Sequence, residues 1–125
     1  MATTSETETE ILSTVLDQWK SAVDAHDPRR VAAGFTEDAI FQGLHPYSVG
    51  RDGIAEYYDS QPIGMVANYT VLQTRRLAED IVLGYLDVDF TFSDQPTVHV
   101  HLSIVLSRTD DAWLIAHYQV SRLSD

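Results

Sequence analysis

The sequence predicts a single α+β domain in which helices cover one face of a strongly bent antiparallel sheet. The 125-residue chain is long enough to bury one sizeable core. Apolar residues recur at helical spacing in its first half, whereas from residue 65 onward they alternate with a period of two. Helices followed by long strands are typical of α+β architecture, and strands of this length in a bent sheet predict a cone with room inside.

Three helices are predicted in the first half of the chain. The first covers about residues 7 to 25 and carries its apolar side chains on one side. Asp27-Pro28 predicts the N-cap and first turn of a short second helix, which includes Phe35 on its inner side. The third covers about residues 52 to 60, because the Gln61-Pro62 pair disfavours further helix.

Five strands are predicted to form the sheet. A short strand from Ala39 to Gln42 leads into a loop from Gly43 to Gly50. Four long runs of β-branched and aromatic residues follow, and their links are short and polar, so they are predicted to form an antiparallel meander. These runs are residues 65–79, 81–93, 97–109 and 112–123.

Composition restricts the partners and the chemistry of the chain. The formal net charge of -11 repels polyanions, so we expect neither nucleic acid nor an anionic membrane as a partner. The absence of cysteine excludes disulfides and thiolate chemistry. The first ten residues do not resemble a secretion signal, so we expect a cytoplasmic protein. We expect one domain over residues 1–125, with a flexible N-terminus over about residues 1–6.

The predicted strand over residues 97–109 has two contrasting faces. One face carries Val98, Val100, Leu102, Ile104 and Leu106, and the other carries His99, His101, Ser103, Val105 and Ser107. Periodicity alone slightly favours the apolar set facing the helices, which leaves the histidines on a solvated sheet. If the polar set lines a pocket instead, a second copy of the chain has to cover the apolar set.

Several short phrases, in the order of the predicted elements, resemble a known superfamily. They are Phe35-Thr36-Glu37-Asp38-Ala39, Gly50-Arg51-Asp52-Gly53-Ile54, Trp113-Leu114-Ile115 and Tyr118-Gln119-Val120-Ser121. Almost the whole chain is similar to the NTF2-like superfamily with its cystatin-like α+β fold, and closest to small SnoaL-like members that accompany bacterial polyketide and enediyne antibiotic biosynthesis. This resemblance implies a cone-shaped fold, a pocket against the concave sheet and a homodimer through the convex face.

Ketosteroid isomerase, a member of that superfamily, provides a comparison for the site. Alignment on these phrases places Gly43, Trp19 and Ser103 where that enzyme has its general-base aspartate, its oxyanion tyrosine and its buried aspartic acid. All three chemical groups are absent here, so that activity is excluded. Tyr58 matches the supporting tyrosine of the isomerase. The same alignment turns Ser103, His101 and His99 inward, which implies a polar pocket face and an apolar dimer face. It also turns Tyr118 and Val120 inward.

The resemblance therefore implies an apolar pocket with a few polar groups. His101 and Tyr118 are the predicted catalytic groups, because imidazole titrates near neutral pH and a phenol donates hydrogen bonds. The predicted ligand-binding residues are Trp19, Phe35, Phe41, Tyr58, Leu86, Val88, Phe90, His99, Ser103 and Val120. The two histidines have a spacing that some metal sites use, but no third ligand is evident, so no metal is expected. No dinucleotide loop, P-loop or haem ligand set is evident, so no cofactor is expected.

Three functions are consistent with these observations. In the first, the protein binds a hydrophobic polyketide-derived intermediate, for example a polyene of an enediyne pathway. It then promotes cyclisation, isomerisation, dehydration or oxygenation of this intermediate in antibiotic biosynthesis. In the second, it is a non-catalytic carrier or chaperone of such an intermediate. In the third, it is a dimeric protein-interaction module. The fold alone does not choose among them.

Overall fold

Three helices pack on a six-stranded sheet in the computed structural model, which describes residues 7–43 and 47–123. The helices are α1 (Glu8–Asp24), α2 (Pro28–Ala33) and α3 (Arg51–Asp59). The strands are β1 (Phe35–Gln42), β2 (Ser48–Val49), β3 (Val66–Ala78), β4 (Ile81–Thr91), β5 (Val98–Thr109) and β6 (Ala112–Arg122). The predicted α+β class is confirmed, and the expected flexibility of residues 1–6 lies outside the described residues.

Local sequence explains where the helices begin and end. The Thr7 side chain accepts a hydrogen bond from the backbone N–H of Glu10 at the start of α1, and the Glu10 carboxylate accepts one from the backbone N–H of Thr7. Asp27 caps α2 as predicted, by accepting from the backbone N–H of Arg30. The prediction that Phe35 belongs to this helix is wrong, because parallel pairing with β6 makes Phe35 the first residue of β1.

The strand order is β2-β1-β6-β5-β4-β3. Strands β3 to β6 form the predicted antiparallel meander, while β1 lies parallel to β6 with Phe41 opposite Tyr118. The segment predicted to be a loop contains the two-residue strand β2, which pairs with β1. The pairing register shifts twice along β3 and once between β5 and β6. Such bulges bend strands and increase their twist, and so curve the sheet.

Helix α1 lies close to the concave face of the sheet. A Cβ atom added to Gly84 of β4 would stand only 2.6 Å from Cδ2 of Leu12 in α1. Glycine at this position therefore allows the helix to approach the strand, and the core lies between the two layers. No helix among residues 7–43 and 47–123 is long and apolar enough to cross a membrane.

Strand β5 presents its apolar face to the core. The buried residues on that face are Val100, Leu102, Ile104 and Leu106. On the opposite face, His99 is exposed and His101 and Ser103 are half-buried. The prediction that His99, His101 and Ser103 turn inward is therefore wrong. The apolar face of β5 is also not available to a second copy of the chain.

Strand pairing gives the physical reason for this correction. Ile104 of β5 lies opposite Tyr118 of β6, and Leu102 lies opposite Val120. Residues directly opposite each other in an antiparallel pair share a face of the sheet. An inward Tyr118 therefore requires the aliphatic face of β5 to be inward as well, and it places His101 outside.

Candidate functional site

An aromatic cluster fills the interior of the cone, with Phe41 of β1 at its centre. The Phe41 ring stacks on Tyr118 with ring centroids 4.5 Å apart and planes 19° apart. Phe35, Tyr57 and Tyr58 meet the Phe41 ring in T-shaped contacts. These rings come from α3 and from the neighbouring strands β1 and β6, so the parallel β1–β6 pairing assembles the cluster.

Three buried polar groups meet inside the apolar interior. Trp19 Nε1–H donates a hydrogen bond to the Tyr58 hydroxyl at 3.1 Å, and the hydroxyl oxygens of Tyr58 and Tyr118 lie 3.3 Å apart. Either phenol can donate to the other, and this single bond uses only one of their two hydroxyl protons. The other hydroxyl proton has no acceptor within the described part of the chain. One hydrogen-bond donor is thus uncommitted in the interior.

Burial sets the protonation of these two phenols. Burial is the main cause that raises the pKa of Tyr58, and it likewise raises the pKa of Tyr118 well above its ordinary value. Both hydroxyls therefore keep their protons at neutral pH. They can donate and accept hydrogen bonds, but they do not act as bases.

A small cavity lies beside the hydroxyl pair. Its volume is about 20 Å³, which is room for about one water molecule. The residues that line it are Tyr57, Tyr58, Gln61, Met65, Phe90, Phe92, Val98, Tyr118 and Val120. No carboxylate, imidazole or amine among these residues reaches the cavity. The expectation of a roomy cone is therefore wrong, because the aromatic side chains of the protein fill most of it.

The structure separates the two predicted catalytic groups. Tyr118 lies in the interior, whereas His101 lies on the outer face of the sheet. Of the predicted ligand-binding residues, the buried ones are Trp19, Phe35, Phe41, Tyr58, Leu86, Val88, Phe90 and Val120. His99 and Ser103 lie outside with His101. His101 cannot act together with Tyr118 on one interior ligand, and ligand contact by the inner residues stays a prediction.

The outer histidines belong to a hydrogen-bonded cluster with residues of β4. His99 lies opposite Asp89 and His101 lies opposite Asp87. The Nε2 atoms of His99 and His101 are 2.5 Å and 3.6 Å from Oδ1 of Asp87, and the Tyr85 hydroxyl is 3.1 Å from Nδ1 of His101. No set of histidines and carboxylates in the described residues is placed to hold a metal ion. The spacing of the two histidines reflects their pairing with carboxylates across the strands.

Sequence reasoning missed the residues that close the cavity. They are Gln61 and Met65, which lie in the link between α3 and β3. Helical or strand periodicity assigns no direction to residues outside helices and strands. The Gln61-Pro62 pair indicated only that α3 ends there.

The fold and its aromatic interior define a class of protein, the cone-shaped α+β domains of the NTF2-like and cystatin-like type. Residues 12–124 match the sequence model of the SnoaL-like domain, and the chain belongs to that family. Comparison with curated protein sequences gives no match.

Solved structures with this fold have differing descriptions. A candidate calcium/calmodulin-dependent protein kinase II association domain from Xanthomonas campestris has a TM-score of 0.83 at 19% identity, over 100% of this chain and 94% of that one. A ketosteroid isomerase-like protein from Erwinia carotovora atroseptica has a TM-score of 0.81 at 20% identity, over 97% of this chain and 100% of that one. A domain of unknown function with a cystatin-like fold from Nostoc punctiforme has a TM-score of 0.82 at 18% identity, over 98% of this chain and 81% of that one. Similarities this distant show the fold and leave the function open.

Proposed function

We propose that this chain binds a small apolar molecule that carries a hydrogen-bond acceptor, with the hydroxyl pair of Tyr58 and Tyr118 as its polar anchor. The uncommitted hydroxyl proton in apolar surroundings is the observation that carries this proposal. A buried donor without an acceptor costs about 1–3 kcal/mol. A carbonyl oxygen of a bound molecule satisfies that donor, while its apolar part packs against the rings.

A polyketide-derived intermediate has the chemistry that this interior requires. Such molecules combine carbonyl oxygens with apolar chains or rings. Membership of the SnoaL-like family supports the assignment, as does the resemblance to small members that accompany bacterial antibiotic pathways. We extend the proposal to these pathways, including the conjugated polyenes of enediyne assembly.

Entry of a ligand requires the cavity to open, because its present volume is about 20 Å³. Gln61 and Met65 lie in the link between α3 and β3, and both have unbranched side chains with several rotatable bonds. Methionine in particular repacks easily. We therefore place the opening at this link.

Binding without turnover is the form of this function that the interior supports best. Cyclisation, isomerisation and dehydration all need proton transfer, and a base has to lie within reach of the reacting atom. Among the described residues no such base lines the cavity, and both phenols hold their protons. A carrier role is therefore favoured. The catalytic alternative is limited to polarisation of a carbonyl by a phenol.

Removal of both phenol hydroxyls tests the proposed anchor. We use 9-fluorenone and fluorene as probes, because they share a ring skeleton and only the first has a carbonyl oxygen. The wild-type protein is expected to bind fluorenone about tenfold more tightly, as one hydrogen bond contributes about 1 kcal/mol. The Trp19→Phe/Tyr58→Phe/Tyr118→Phe variant, which also removes the indole N–H that the loss of Tyr58 sets free, is expected to lose this preference. Each single tyrosine variant keeps one free hydroxyl proton and therefore part of the preference.

Isothermal titration calorimetry measures these affinities. Tyr85→Phe is the matched control, since it removes a tyrosine hydroxyl from the outer face of the sheet. Equal affinities of the wild-type protein for the two probes contradict the proposal. The same holds if the variant without all three donor groups keeps the preference for fluorenone.

A second candidate function is assembly with another copy of the chain through the convex face. Residues 98–107 and 112–121 contain no Asp, Glu, Lys or Arg, although the chain has 19 acidic and 8 basic residues. Charged residues are depleted from the cores of protein interfaces. Strands β3 to β6 have 11–13 residues, and together with the shorter β1 and β2 they present a face of roughly 800–900 Å². A standard interface buries about 800 Å² on each partner, so this face is large enough.

Val105→Glu tests this assembly. Val105 is half-buried on the outer face, opposite Leu83 of β4 and His117 of β6. We expect a homodimer of the wild-type protein in native mass spectrometry and light scattering, and an at least tenfold higher dissociation constant for the variant, because a buried carboxylate is costly. Ile63→Glu, in the exposed link before β3, is the control for charge. A monomeric wild-type protein at micromolar concentration excludes this candidate.

A further inference from the structure

A groove beside α1 is separate from the interior cavity. It lies between α1, α2 and the start of β6, its volume is about 480 Å³, and it shares no lining residue with the cavity at the hydroxyl pair. Its floor includes the buried side chains of Val15, Val31 and Ile115, and Trp113 lines it as well. Pockets that bind small molecules have volumes of about 300–1,000 Å³ and apolar linings. The groove meets both criteria.

The exposed Arg30 guanidinium lies at the rim of this groove. Its Nη2 atom donates a hydrogen bond to the Ser21 hydroxyl at 3.1 Å, and it forms no ion pair with any residue in the described ranges. The rim also carries Asp17, whose carboxylate accepts a hydrogen bond from the Tyr69 hydroxyl. The positive charge of Arg30 is therefore not offset by a direct carboxylate partner.

The two arginines near Trp113, unlike Arg30, are paired with carboxylates. Arg76 and Arg108 lie over the indole ring, 5.6 Å and 5.1 Å from its centroid. Each of them is already paired with a carboxylate, Arg76 with Glu8 at 3.2 Å and Arg108 with Asp80 at 2.6 Å. They hold the indole in place, and Arg30 is the guanidinium of the groove that is left to bind an anion.

We propose that this groove binds a small apolar anion, such as an aryl carboxylate or sulfonate, with its rings on the floor and its charged group at Arg30. The planar guanidinium matches the geometry of such anions. The chain has a formal net charge of -11, which repels anions at long range. To bind despite this repulsion, an anion needs a local cation and an apolar contact surface. The groove provides both.

Two fluorescent probes test this site. 1-Anilinonaphthalene-8-sulfonate is an apolar anion, and N-phenyl-1-naphthylamine has the same ring system without the sulfonate. Arg30→Gln is expected to weaken binding of the sulfonate about fivefold, the magnitude of an exposed charge pair, and to leave binding of the neutral probe unchanged. Arg29→Gln is the matched control, because it removes the same charge from an exposed residue of α2 that does not line the groove.

Methyl NMR spectra locate the bound sulfonate. Binding in the groove shifts the methyl signals of Val15, Val31 and Ile115. Shifts at Met65 and Val98 instead place the probe in the interior cavity and overturn the proposal. It is also overturned by equal effects of Arg29→Gln and Arg30→Gln, or by the absence of saturable binding. Trp19 lines the groove and bonds to Tyr58, so the control for the interior site is Tyr118→Phe, which leaves that bond intact. This variant is expected to keep its affinity for the sulfonate.

Discussion

Leu102→Asp is expected to unfold the domain, whereas Ser103→Asp on the next residue of β5 leaves it folded. Leu102 has 0% of its surface exposed and lies on the core face. A carboxylate there has no partner, and its burial costs about 5 kcal/mol or more, in the range of the entire stability of a small domain. Ser103 lies on the outer face, where water reaches the new carboxylate.

Circular dichroism and urea unfolding measure the two effects. The expected result is loss of the cooperative transition for Leu102→Asp and a loss of about 1 kcal/mol or less for Ser103→Asp. The opposite order places the polar face of β5 inside the cone. His101 then lies in the interior, and the catalytic form of the function regains its base.

This pair of variants concerns the point at which sequence reasoning failed. The elements themselves were predictable, because helical and strand periodicities are local properties of the chain. The inner face of β5 depends on its pairing with β6, and a shift of one residue reverses every assignment. Periodicity alone favoured the aliphatic face, and the alignment to ketosteroid isomerase overrode it. Ile104 and its partner Tyr118 are both buried, so periodicity indicated the correct face.

The candidate site was predictable in its composition but not in its chemistry. The aromatic residues of the interior follow from their positions on the inner faces of helices and strands. The hydrogen bonds do not, since Trp19 and Tyr58 are 39 residues apart and Tyr58 and Tyr118 are 60 apart. Their contact depends on the parallel pairing of β1 with β6 and on the seating of α3, neither of which leaves a periodic pattern.

Tyr58→Phe is expected to destabilise the domain by about 2–3 kcal/mol, and Tyr118→Phe by about 1 kcal/mol or less. The indole N–H of Trp19 can only donate, and its partner is the Tyr58 hydroxyl. Trp19 is 4% exposed, so the loss of that hydroxyl leaves a buried donor without an acceptor. Tyr118→Phe keeps the bond between Trp19 and Tyr58 and removes only the bond between the two phenols.

Urea unfolding of the two single variants and the double variant separates these contributions. Once Tyr58 is replaced, the Tyr118 hydroxyl has lost its partner, so its removal is expected to cost less than in the wild-type protein. The pH dependence provides a second test. The pKa of Tyr58 is raised in the folded state, so its contribution is complete below the unfolded value of about 10 and is lost as the pH rises above it. Tyr58→Phe is therefore expected to reduce the fall in stability at alkaline pH. Equal losses of unfolding free energy in the two single variants contradict the assigned role of the Trp19–Tyr58 bond.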